Sequence, residues 1–228
     1  MRREAGGKPN EVAIFGGYSL TNEKYRRRGV GAELISLLMR EDAEKALKKQ
    51  QEIKCLVVQG KETSEPFWNH VGLKRIYYED AEGNFNETPY IQPPIQWDEK
   101  TGQPLDPETE EVGDKDIKEY TIPEHLMIRM MDNKNEINPE DLRPILDIIY
   151  FDNYTLYRNE GDDLPTDEAI QHTRDAVNKF MDEFFETLKN AQDSKLYLMD
   201  AKEREEKRAE LEAKGKKLSE LVAEPFED

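Results

Sequence analysis

Cysteine is nearly absent. Cys55 stands alone, so no disulfide can form within the chain. It lies in an apolar run, the setting of a packed core residue rather than of a reactive thiol. No apolar stretch is long enough to span a bilayer, and Met1–Asn10 lacks the apolar core of a secretion signal and reads as a tail. The expectation is an intracellular chain in a reducing compartment, with no membrane span. Positive charge is scarce too. Against 50 Asp and Glu there are 33 Lys and Arg, a net charge of −17 at pH 7, which argues against a nucleic-acid partner held through its phosphates. The three histidines, His70, His125 and His172, lie far apart and show no metal-ligand spacing, so no metal is expected and each reads as a surface or packing residue. Ser19, Ser36 and Ser64 have no nucleophile-elbow context, and no internal repeat is present.

What the chain does carry is a strand-like run at Val12–Leu20, then Y-R-R-R-G-V-G-A at Tyr25–Ala32, then Glu33–Arg40 with apolar residues three and four apart. Strand, glycine turn and helix form a device for holding an anion. Gly29 and Gly31 permit positive φ and a close approach to the backbone. The first N–H groups of the helix have no partner inside it, and its dipole is positive there. Such an end favours a phosphate, and Arg26, Arg27 and Arg28 add charge beside it. The spacing is neither G-x-G-x-x-G nor that of a P-loop, which disfavours both nucleotide folds.

The pattern Arg26-x-x-Gly29-x-Gly31-Ala32 resembles the acyl-CoA pyrophosphate loop of the GNAT superfamily of N-acetyltransferases, written Gln/Arg-x-x-Gly-x-Gly/Ala. Its flanks fit: Ser19–Tyr25 leads into the loop, Ile53–Val58 suits a buried strand, and Ser64-Glu65-Pro66-Phe67-Trp68-Asn69-His70-Val71-Gly72-Leu73 resembles the second signature of the family. The resemblance covers about residues 12 to 131. It implies an α+β fold with a partial GNAT-like mixed sheet, acetyl-CoA as co-substrate, and transfer of the acetyl group to an amine of a small molecule or protein. It also implies cofactor contacts at Leu20, Thr21, Arg26, Arg27, Arg28, Gly29, Val30, Gly31, Ala32 and Trp68. Gly16-Gly17 would mark a bulge facing the pantetheine arm, or a simple irregularity.

The chain departs from the family in three ways. Where many members carry a tyrosine acid, it has Trp68, whose indole can donate a hydrogen bond but is no useful acid near neutral pH. Where some carry a glutamate base it has Phe15, with Glu11 and Glu23 as nearby alternatives that are not well placed. The family places strands and helices ahead of the loop's strand, and here about ten residues stand there. A truncated gene product, another chain supplying those parts, or an incomplete site would each account for this. The alternative to an enzyme is therefore a catalytically inactive GNAT-like subunit used for binding or structure.

Two domains are expected: 1–131, with a long insertion at 79–123, and a helical extension at 132–228. The loop helix should pack Leu34, Leu37, Leu38 and Leu47 on the sheet. His125–Met131 should pair with Leu73–Tyr78 as a closing hairpin. The insertion, rich in proline and acidic residues, reads as a surface excursion. Its Tyr90, Ile91, Ile95 and Trp97 either fold back on the domain or, with the carboxy-terminal helices, offer a contact for a protein partner within 85–97. Ile170, Thr173, Val177, Phe180, Phe184 and Leu188 form an amphipathic stripe. Beyond Asp193, Lys and Glu dominate, as in a solvated helix or frayed tail.

Overall fold

In the computed structural model, residues 2–4, 11–16, 24, 26–156, 165–189, 191 and 195–221 are described. A nine-stranded mixed sheet organises them. Its amino-terminal part is β1 (Arg2–Glu4), β2 (Glu11–Gly16) and β3 (Glu52–Gly60), followed by β4 (Lys74–Glu79) and β5 (Phe85–Glu87). β6 (Ile91–Gln92) and β7 (Ile122–Pro123) form a separate ribbon. β8 (His125–Met130), β9 (Glu136–Ile137), β10 (Leu196–Met199) and β11 (Leu218–Ser219) complete the set. The order along the sheet is β1-β2-β3-β8-β4-β10-β9, with β5 beside β4 and β11 beside β5. β2 and β3 run parallel, joined through α1 (Val30–Lys48), while β8 runs antiparallel to both β3 and β4. The chain is thus α+β with a mixed sheet, and β4 and β8 are neighbours as the hairpin expectation required.

Alternation along the strands sorts side chains to two faces. Ala13, Phe15, Cys55, Val57, Leu126 and Ile128 point to one; Ile14, Leu56, Val58 and Met127 point to the other. The second face is covered by α1 and α2 (Glu65–His70) through Ile35, Met39, Phe67 and Trp68. The first, larger face is covered by α3 (Pro139–Asn153) and α4 (Asp167–Leu188). α4 is capped by the Thr166 hydroxyl and buries Thr173, Val177, Phe180, Phe184 and Leu188 along one stripe.

Several expectations change here. The segment after 132 is not simply a helical appendage to a finished sheet. β10 inserts between β4 and β9, and α3 and α4 supply the larger core. Leu196 and Leu198 are buried in β10, a strand too short to stand out from the Lys/Glu-rich sequence around it. α5 (Ala201–Ala213) then begins at a capping box made by Asp200 and Glu203. Arg2–Glu4, read as tail, pairs antiparallel with Val12–Ile14. The 79–123 insertion is no partner surface at its aromatics. Tyr90 and Trp97 are buried in the main core and Ile91 packs against it, because the sheet face beneath them needs cover. On α1, Leu34, Leu37, Leu38 and Leu47 stand exposed, and Ile35, Met39 and Ala46 face inward instead.

Candidate functional site

The turn before α1 is made by residues Arg26–Gly29, with Arg27 at φ 60° and Gly29 at φ 79°. Both are left-handed, and only glycine adopts that backbone without strain. Among the described residues, a Cβ placed on Gly29 would meet no heavy atom within 4 Å. Among the described residues no side chain caps α1, whose first main-chain bond runs from Glu33 N–H to Gly29 O at 2.9 Å. The amides of the first turn therefore face outward without an intrahelical partner. Arg26, Arg27, Arg28, Gly29 and Val30 are exposed, and Gly31 and Ala32 are half-buried. Leu20, Thr21 and Glu23 lie outside the described residues.

A cavity of about 780 Å³ adjoins this helix. Its walls are Ala32, Ile35 and Met39 of α1, the end of α2 at His70–Gly72, and Lys74 and Arg129 on the sheet. That volume falls in the range of small-molecule sites. Its cations are tied down: Lys74 Nζ lies 2.6 Å from Glu203 and 3.0 Å from Asn135, and Arg129 donates to Val71 O at 2.9 Å. Trp68 is not at the turn. It is buried against Phe67, near Gly60 and Met127, and fills the space under the end of β3. Phe15 is buried in the opposite core, and Glu11, at the far end of β2, pairs with Lys54 at 3.1 Å.

β2 and β3 pair in register from Ala13 through Gly16, which leaves no gap for a cofactor arm between them over that stretch. The bulge lies earlier, between Val12 and Ala13. Gly16 itself answers to a close approach, since a Cβ would come within 3.0 Å of Val58.

A second constellation went unseen in the sequence: an ion-pair network at the carboxyl end of β3. Arg75, 1 % exposed, reaches Glu62 at 2.8 Å and Glu87 at 3.4 Å and also bonds Glu65. Arg204 bonds Glu65 and Glu220, the latter at 2.7 Å. His125, fully buried, sets Nδ1 2.6 Å from Glu87 and Nε2 2.9 Å from Glu62, so the ring bridges the two carboxylates. The backbone N–H of Leu221 donates to Glu87 at 2.9 Å. His125 is thus neither a surface residue nor a lone packing residue. Its partners come from separate stretches of chain, so no spacing motif could have revealed it. Burial pushes the Glu62 carboxyl up, but Arg75 and His125 outweigh it and hold it below its usual value.

Beside this network lies a polar layer over the core. Tyr154 donates to Gln59 Oε1 at 2.7 Å, Gln59 bonds the Tyr90 hydroxyl, and the Tyr90 ring stacks on Tyr150 at 5.6 Å. Glu124, nearly buried, has its carboxyl raised by burial, against which Lys61 and His125 pull only partly. With its amide oriented to donate, Gln92 reaches Glu124 at 3.1 Å. A raised carboxyl contributes stability that is fully present below its unfolded value of about 4.3 and is lost as pH rises through the folded value. Glu124→Gln should therefore stabilise the fold by about 1 kcal/mol at pH 7 and have little effect near pH 4, as urea denaturation at the two pH values will read.

Burial pushes the Cys55 thiol up to about 12, which leaves it inert as a nucleophile. Among the described residues no cluster of His, Cys, Asp and Glu is arranged to hold a metal ion, and no helix is long and apolar enough to cross a membrane. Comparison with family models, characterised proteins and solved structures gives no match for this chain.

Proposed function

We propose that this chain binds acetyl-CoA through the Arg26–Ala32 turn and acts as an N-acetyltransferase of the GNAT type. The observation that carries the reading is the uncapped start of α1, with Gly29 left-handed and, among the described residues, with no atom that a Cβ there would meet within 4 Å. Main-chain amides there can donate to a diphosphate, with Arg26, Arg27 and Arg28 supplying charge. Two further features support it. α1 links two adjacent parallel strands, and ligands of such units bind beyond the carboxyl ends of the strands. The cavity beside Ala32 offers room for further parts of a cofactor.

In the reaction, a neutral amine nitrogen attacks the thioester carbonyl, the C–S bond breaks, the thiolate leaves and takes up a proton, and the amine loses one. The acceptor is an amine of a small molecule or a protein. The second reading is a binding subunit without catalysis. The burial of Trp68, at the place where the resemblance would put an acid, favours it.

Two variants test the turn. Gly29→Asn and Gly29→Asp impose the same backbone strain, but only the second adds a negative charge to the anion site. Calorimetry with CoA should show Gly29→Asp binding at least about tenfold more weakly than Gly29→Asn, a difference of roughly 1.4 kcal/mol. Equal affinity in the two would remove the site from this turn. Thiol release from acetyl-CoA with a panel of amines then separates the readings: binding without release would favour the subunit.

A further inference from the structure

Among the described residues, seven large hydrophobic side chains stand exposed, and five of them lie on α1: Val30, Leu34, Leu37, Leu38 and Leu47. At 100° per residue, Val30, Leu34, Leu37 and Leu38 form one stripe about 100° wide, the width normally given to a core-facing surface. This stripe points away from the sheet, which α1 contacts through Ile35, Met39 and Ala46 on its other side. From Glu41 onward the same line turns polar, with Lys45 paired to Glu41 and Asp42. The continuous apolar stripe is therefore confined to the first half of the helix, and Leu47 stands apart from it.

We infer that this stripe is a dimer interface, and that its occupant is the same stripe of a second copy of this chain, running antiparallel. Charge pattern selects that occupant. Glu33 and Arg40 lie seven residues apart on one flank of the stripe. In an antiparallel pair related by a two-fold axis near Leu37, equal flanks meet. Glu33 of each copy then faces Arg40 of the other, and Leu34, Leu37 and Leu38 close around the axis. The wider charge distribution agrees. Residues 26–49 hold seven basic and four acidic side chains in a chain of net charge −17, so this helix does not carry the acidic excess of the rest of the chain into the contact. Val30 belongs both to this stripe and to the Arg26–Ala32 turn, whereas Leu34, Leu37 and Leu38, which close the contact, lie outside that turn.

The test is sedimentation velocity of the full chain across a wide concentration range, in the absence of CoA. The wild type should dimerise. Glu33→Arg and Arg40→Glu, each alone, set like charges opposite one another and should weaken association by about tenfold. The Glu33→Arg/Arg40→Glu exchange should restore it, an outcome that misfolding would not produce. Leu37→Asp should leave only monomer with an unchanged circular dichroism spectrum. A monomeric wild type, a dimer indifferent to the single reversals, or an exchange that fails to rescue would each overturn the inference. So would a monomer that co-sediments with anionic lipid vesicles, which would assign the stripe to a membrane surface.

Discussion

Replacing Arg75 with methionine should cost about 3–5 kcal/mol of stability at pH 7, the toll of removing one partner from a buried ion pair. Arg75 is the hub of the network at the end of β3. Its guanidinium meets Glu62, Glu65 and Glu87, which come from the turn after β3, from α2 and from β5. Methionine fills much of the volume but balances none of the charge. Glu65 and Glu87 are themselves buried and would lose a counter-ion, although Arg204 and His125 still reach them. The loss is a large share of the 5–15 kcal/mol typical of a folded domain, so urea denaturation will resolve it readily. Acidification should narrow the gap from both sides. Protonation removes the charge left unbalanced in the variant. In the wild type, the depressed Glu62 carboxyl contributes stability that is present above its unfolded value of about 4.3 and is lost as pH falls through the folded value. A gap that stayed constant from pH 7 to pH 4 would show that Arg75 acts through packing alone. Glu87→Gln in the Arg75→Met background should recover part of the loss, because a neutral amide is buried at lower cost than a carboxylate that has lost its guanidinium, while Glu65 keeps its pairing with Arg204.

This network also shows where sequence reasoning ends. β2, α1, β3, α2 and β8 were legible because each carries its own signal: alternation, a glycine at a turn, or apolar residues at helical spacing. Gly72 was legible as a helix terminus and takes φ 88° at the end of α2. β10 was not, because four residues in a Lys/Glu-rich stretch carry little pattern, and their strand character depends on the exposed side of β4. The inward face of α1 was misread for a related reason. Its leucines outnumber Ile35 and Met39, yet the crossover from β2 to β3 fixes which side meets the sheet, and composition does not encode that rotation. Of the candidate site, the turn could be read from its glycines and arginines. The buried charges could not, since Glu62, Glu65, Arg75, Glu87, His125 and Arg204 become neighbours only through the sheet order.

Gly102→Ala should be the most damaging substitution among the described positive-φ glycines, and Gly215→Ala supplies its control. Both glycines have positive φ, 67° and 69°. Each therefore exacts the strain of a left-handed non-glycine residue, about 1–2 kcal/mol. They differ in their surroundings. A Cβ on Gly215 would meet nothing within 4 Å, whereas one on Gly102 would lie 2.4 Å from the carbonyl oxygen of Ala169 in the first turn of α4. The backbone of a packed helix cannot yield as a side chain can. Gly102 also sits in a loop bound tightly to that helix. Asp98 accepts from the amides of Lys100 and Thr101, Gly102 N–H bonds Asp98 O at 2.8 Å, and His172 Nδ1 lies 2.6 Å from Gly102 O. Thr166, the cap of α4, donates its backbone N–H to Glu99 O at 3.2 Å and its hydroxyl to Lys100 O at 3.2 Å. A methyl group at 102 must push this loop off α4 and break its bonds to Thr166 and His172 together. The expected cost exceeds about 3 kcal/mol, against roughly 1 kcal/mol at Gly215. Urea denaturation of the two variants side by side isolates the close approach from the backbone strain. Equal losses would mean that the 98–103 loop shifts without penalty, and that the insertion is held to the core by Tyr90 and Trp97 rather than by its contact with α4.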